Sequence, residues 1–346
     1  MAKTDEVQRT TASSAWRKAL SAVAATAVWV VLAAMTVWAI AALYIDVRTP
    51  ALRAPLAVLY GAGSIIAIWK LRPRYAACVL ALAFAAVVTW WFSLEPTNNG
   101  PWKPNNERTA WAEVSRDTVI VHNVRNCEYR AENDYSDCWH DRVVHLSKLS
   151  AADFTLTTWG SKYIGHPIVS FDFGEDGHLA FSLEVRYRPG QDYSAILGLF
   201  RQSPVIFIAA DERDVLRLRT NYRTGEEVYL YRTTIPTDVV KAIFSTYIGY
   251  LNRLHEHPEW YNALTKNCTT ALNRQIDADL PDPRPWNYQL LLNGTIDQLL
   301  YSRGRFVTGG LPFSALKAQA HINEAAKAAD ADPEFSARIR AGRVGF

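Results

Sequence analysis

Three apolar runs dominate the first hundred positions. Ala19 to Ile45 is almost free of charge and long enough to cross a bilayer core of about 30 Å. Ala54 to Trp69 is shorter and spans only marginally. Tyr75 to Phe92 follows, with Arg72 and Arg74 before it and Glu95 after it. Three membrane helices within 16–94 are the reading; two, with an interfacial second segment, are the alternative. The length of the first run, and the apolar segments behind it, argue against a cleaved signal peptide. Residues 1–15 are polar and are expected to form a disordered tail.

Beyond Glu95 the pattern changes. Residues 95–111 are rich in Pro and Asn and read as a linker to a domain over 112–346. Val119–Val124 has the β-branched content of a strand, and Leu146–Phe154 reads as weakly helical or irregular. Gly165–Phe173 and His178–Tyr187 flank a Gly-bounded turn and predict a hairpin. Val205–Ala209, Val215–Leu218 and Val228–Tyr231 continue as strands. Pro236 and Thr237 then open a long helix whose stripe includes Val240, Ile243, Phe244, Tyr247, Ile248, Leu251 and Leu254. Ser314–Asp330 predicts another amphipathic helix. Strands followed by helices give an α+β class: membrane helices, then an antiparallel sheet with helices.

Composition changes this picture little. The 346 residues carry a net charge of +3 with no long basic run, so no nucleic-acid partner is implied. The position of the charges matters more. Lys3, Arg9, Arg17 and Lys18 precede the first span, and Lys70, Arg72 and Arg74 fill the loop between the second and third. Both places belong in the cytoplasm by the positive-inside rule. The domain of about 250 residues after the third span is then outside the cytoplasm, and the lipid bilayer is the one partner the chain itself implies.

The cysteines fit an oxidising compartment. Cys127 and Cys138 lie close together in a polar stretch and are expected to pair. A metal site from Cys127, Cys138 and His140 is the rival, but its spacing matches no zinc pattern. No metal or cofactor motif stands out. Cys268 is left without an obvious partner.

Cys268 lies in Lys266-Asn-Cys-Thr-Thr270. Asn267 suits an N-cap, and Ala271, Leu272 and Ile276 recur at helical spacing. A first-turn cysteine sees the positive end of the helix dipole, which favours the nucleophilic thiolate. The plain alternative is a small buried hydrophobe. A base is available in His166, which Pro167 forces into extended backbone at a strand start or sheet edge. Glu184 is the residue to orient it and His178 a second base. With a two-residue turn at Glu175-Asp176, His166 pairs with Val185 and Glu184 faces away. A turn one residue longer puts His166 opposite Arg186, with Glu184 diagonal on the same face. Each histidine alone is as readily a turn or surface residue.

Several separated motifs resemble one family in order: His122-Asn-Val-Arg125 with Tyr129-Arg130, Trp159, His166-Pro-Ile-Val-Ser-Phe171, Ser182-Leu-Glu-Val-Arg186, Asn221-Tyr-Arg223, Tyr261-Asn262, Asn267-Cys-Thr-Thr270 and Ile339-Arg340. The stretch 112–342 is similar to the Lnb N-terminal periplasmic domain family, whose namesake is a lipoprotein N-acyltransferase of bacteria. The resemblance implies an envelope location at the inner membrane, Cys268 as nucleophile, His166 as base, and lipoprotein or phospholipid acyl groups as substrate. The order of a strand histidine and then Asn-Cys also resembles permuted papain-like enzymes, in which two histidines precede the cysteine. Cys127, Cys138 and the three N-terminal spans depart from the family pattern. A cell-wall thiol peptidase and a non-enzymatic envelope module are the alternative functions.

Overall fold

The computed structural model describes residues 2–136, 139–192, 194, 196–263, 265 and 293–346, with side chains at Trp16 and from Lys18 onward. They fall into two units, residues 1–95 with 200–202, and residues 96–199 with 203–346.

The first unit holds α1 (Ala2–Asp46), α2 (Pro50–Lys70) and α3 (Pro73–Phe92). Over Lys18–Asp46, Pro50–Lys70 and Pro73–Phe92 they are long and apolar enough to cross a membrane. Proline opens both α2 and α3, where a missing N–H costs nothing. Trp91 Nε1 donates to Asp46 Oδ2 at 2.7 Å, joining the ends of α1 and α3. Helix α1 begins at Ala2, so the stretch expected to be disordered is helical. Its Ala, Lys, Glu, Gln and Arg residues are good helix formers and extend a nucleus already present in the apolar run.

The second unit is built on a sheet. Its strands are β1 (Trp111–Ser115), β2 (Thr118–Arg125), β3 (Tyr129–Ala131), β4 (Asp134–Tyr135), β5 (Trp139–His145), β6 (Ala151–Trp159), β7 (Ser161–Asp172), β8 (His178–Val185), β9 (Val205–Ala210) and β10 (Glu226–Arg232). The order is β1-β2-β9-β8-β7-β6-β10, with β5 also on β2 and β3-β4 a separate pair. Every pairing is antiparallel except β2 with β9.

Helix α5 (Thr237–Glu256) covers one face. Its buried Phe244 and Tyr247 meet Phe171, Phe181 and Phe207 edge-on, with ring centroids 5.1–6.1 Å apart. The other face carries Ile168, Ala180, Ile206, Ile208, Val228 and Leu230. It packs on α4 (Glu212–Arg217) and, after α6 (Ile296–Ser302) and α7 (Phe313–Ala320), on α8 (Asn323–Ala328) and α9 (Phe335–Arg338). This second face also buries charge. Arg340 donates to Asp153 Oδ2 at 2.7 Å and to both oxygens of Glu212 at 2.6 and 2.7 Å.

Several expectations need correction. Val215–Leu218 is not a strand. It lies in α4 and a π-helical turn over Leu218–Tyr222. Four residues, three of them apolar, are too short a run to fix a period, and tertiary bonds decide: buried Asp214 accepts from Arg125 Nε and Cys127 N–H. Residues 151–154 belong to β6, after a short 3-10 turn at Leu146–Lys148. The helix expected over 314–330 breaks at His321-Ile322. There Ile322 N–H bonds Val228 O, and Asn323 Oδ1 accepts from Val228 N–H, so the chain caps the free edge of β10. The Pro/Asn-rich stretch is packed rather than loose: Trp102 is buried under the Arg186 guanidinium, 4.7 Å above its ring.

Candidate functional site

The β7–β8 hairpin sets the geometry. Its last pair is Asp172↔His178, closed by Phe173, a 3-10 turn at Gly174–Asp176, and Gly177 at φ +79°. Arg142 holds this five-residue connection, donating to His178 O at 2.7 Å and also to Asp176 O. Neither expected register occurs. The pairs from Asp172↔His178 to Val169↔Phe181 put His166 and Glu184 on one face of the sheet by parity. The same face carries Ser182 and, across on β6, Thr157 opposite His166.

Glu184 reaches His166 through an intermediate. His166 Nε2 lies 2.7 Å from Ser182 Oγ, and Ser182 Oγ donates to Glu184 Oε1 at 3.0 Å. The same Glu184 oxygen accepts from Arg219 Nη2 at 3.2 Å, and Arg219 Nη1 binds Glu226 Oε2 at 3.1 Å. Arg219 sits on the π-helical turn, a distortion often found beside functional groups. Burial favours protonated Glu184, but Arg219 first, and then Arg125, outweigh it and hold the carboxyl well below the usual range. His166 is 8 % exposed. Burial pushes its imidazole down to about 3, with the Arg219 charge acting in the same direction and Glu184 opposing. At neutral pH the pair is therefore a neutral imidazole and a carboxylate.

The remaining expected residues divide. His178 lies at the other end of β8, six residues and roughly 20 Å of strand from Glu184. It faces Asp172 at 3.7 Å, and the structure does not bring it to His166. Cys268, its helix start and Cys138 lie outside the described residues. Cys127 is fully buried. His140 Nε2 pairs with Asp211 Oδ2 at 3.0 Å.

Both flanks of the segment containing Cys268 run to the His166 end of the sheet. On the way out, Val205 N–H bonds Glu259 O and Tyr261 N–H bonds Ser203 O at 3.0 Å. That places residues 259–261 along the start of β9, whose Val205 and Ile206 pair with Val185 and Glu184. On the return, Asn293 Oδ1 accepts from Gly165 N–H at 2.8 Å, next to His166. Gly294 is so close to β7 that a Cβ there would lie 2.5 Å from Lys162 O.

Residues 135–294 match the family model of the Lnb N-terminal periplasmic domain, a stretch that includes His166, Ser182, Glu184, Arg219 and Cys268. This segment is similar to that family. No curated protein and no solved structure matches the chain. The Lnb-type segment lies inside the wider stretch 112–342 that carries the resembling motifs. With three apolar helices ahead of it, the chain is a membrane protein with a periplasmic domain.

Sequence reasoning gives Ser182 only as part of the Ser182-Leu-Glu-Val-Arg186 motif, without a role, and misses Arg219 and Glu226. Ser182 was open to discovery, because i and i+2 on a strand share a face and Glu184 was already singled out. Arg219 lies just past the expected strand Val215–Leu218, on a π-helical turn with no sequence signal.

Proposed function

We propose that the chain is an inner-membrane acyltransferase or hydrolase that uses Cys268 as nucleophile and His166 as base on lipid or lipoprotein acyl groups. The N-terminus is cytoplasmic, the three helices span the bilayer, and the domain works outside. The observation that carries the reading is the buried neutral His166 chained through Ser182 to ionised Glu184, with both flanks of the Cys268 segment running to that end of the sheet.

In the first half-reaction His166 takes the thiol proton. The thiolate attacks an ester or amide carbonyl, a C–S bond forms, and the leaving alcohol or amine departs with a proton from the imidazolium. In the second, an amine, hydroxyl or water gives its proton to His166 and takes the acyl group, releasing the thiolate. Attachment to the bilayer raises the local concentration of lipid substrates, which favours acyl transfer over peptide cleavage. The order of strand histidine and then Asn-Cys supports a permuted papain-like arrangement, with His178 outside the working set. A Cys127–Cys138 disulfide belongs to the same extracytoplasmic reading.

The full chain in nanodiscs is incubated with phospholipid or lipoprotein bearing a tagged acyl chain. A hydroxylamine-labile adduct is expected on Cys268 and none on Cys268→Ala. An equal adduct in both removes the proposal. Cleavage of peptidoglycan peptides without any acyl adduct moves it to a wall peptidase, and neither activity leaves an envelope binding module.

A further inference from the structure

An ionised carboxylate only accepts hydrogen bonds, and a serine hydroxyl has one proton to give. Glu184 Oε1 receives that proton from Ser182 Oγ at 3.0 Å. The Ser182 oxygen is then an acceptor toward His166 Nε2, 2.7 Å away, so Nε2 carries the hydrogen. In a neutral imidazole the lone pair is left on Nδ1. Arg219 and Glu226 lock the far end of the chain, because Glu184 is bound at 3.2 Å by a guanidinium that also binds Glu226 at 3.1 Å. The direction of every hydrogen bond follows from one fixed charge.

We propose that Ser182 is a positioning residue that fixes the proton of His166 on Nε2 and so makes Nδ1 the basic nitrogen. The tautomer assignment stands on the described geometry alone. Its use in chemistry rests on the thiol reading above: the Cys268 S–H bond breaks, Nδ1–H forms, and the electron pair stays on sulfur. No proton passes to Glu184. Its charge stabilises the imidazolium through the Ser182 dipole, as an orienting acid does in other nucleophile–base–acid sets.

The test uses the full chain in detergent micelles with ¹⁵N-labelled histidine, and the His166 signals are assigned by their loss in His166→Gln. The unsubstituted chain is expected to show the Nε2–H tautomer. Ser182→Ala should show a mixture, Ser182→Thr should restore the single form, and Glu184→Gln should move the ring toward Nδ1–H. In parallel, iodoacetamide alkylation of Cys268 at pH 7 should slow on the order of tenfold in Ser182→Ala and recover in Ser182→Thr. An Nδ1–H ring in the unsubstituted chain, or a ring unchanged by Ser182→Ala, overturns the assignment. Expected ring shifts with a Cys268 thiol no faster than a free cysteine uphold Ser182 and sink the acyl-transfer reading instead.

Discussion

Arg219 divides its guanidinium between Glu184, at 3.2 Å, and Glu226, at 3.1 Å, while only 5 % of its side chain is exposed. Removing one partner of a buried ion pair leaves the other charge uncompensated, at a cost of about 3–5 kcal/mol. Arg219→Met is therefore expected to lower stability by that order, measured by denaturant unfolding followed by tryptophan fluorescence. Adding Glu184→Gln to Arg219→Met should recover part of the loss, because the stranded charge is gone. An unchanged midpoint in the single variant contradicts the clasp.

Acid should destabilise the domain in two separable windows. His166 has a folded pKa of about 3, below its ordinary value near 6.5. Between those values the unfolded chain binds a proton that the folded chain refuses, so stability falls as pH drops from about 6.5 toward about 3. Glu184 is also depressed. Its contribution is complete above about 4.5, the ordinary value, and is lost below it. Thermal unfolding of the full chain in detergent should show a falling Tm from pH 6.5 to 4.5, flattened in His166→Gln. A slope between those pH values that His166→Gln leaves intact assigns the effect to other groups.

Gly294 should tolerate no side chain. A Cβ there meets Lys162 O at 2.5 Å and Ile164 N and Tyr163 C at 2.7 Å, all backbone atoms that cannot swing aside. Gly294→Ala is expected to cost about 1–3 kcal/mol, the usual range for overpacking. It should also slow Cys268 alkylation, because it pushes the returning chain off β7 beside His166. Gly249→Ala is the control for added bulk, since nothing lies within 4 Å there and its backbone is helical. Equal stability of Gly294→Ala and the parent chain removes the close approach.

A Cys127–Cys138 bond is expected to stabilise the domain by up to about 3 kcal/mol in the chain-entropy model. Peptide mapping without reductant should find the two cysteines linked, and Cys127→Ala should lower the Tm. Recovery of both as free thiols from periplasmic material sinks the pairing.

Much of this was legible in the sequence. The first and third spans, the hairpin and the α5 stripe follow from long apolar runs and from hydrophobic periods of 2 and 3.6, while the second span was marginal by length. Pro167 predicts a strand start or sheet edge for His166, yet His166 lies inside β7, between β6 and β8, and pairs with Thr157. The connection of His166 to Glu184 was not legible, for a physical reason. Turn length fixes register, and the turn is held open by Arg142, a side chain from another strand. Val215–Leu218 failed in the same way: the local pattern was neutral, and buried Asp214 chose the helix.

The Arg340 clasp has a bearing on how the gene can be cut. One guanidinium near the C-terminus neutralises Asp153 on β6 and Glu212 on α4, two acids with no measurable exposure. A stop codon shortly before that arginine would remove no secondary structure of note. It would nonetheless leave buried Glu212 without its guanidinium and Asp153 with Arg232 alone, so the last few residues close a charge balance that the chain before them leaves open.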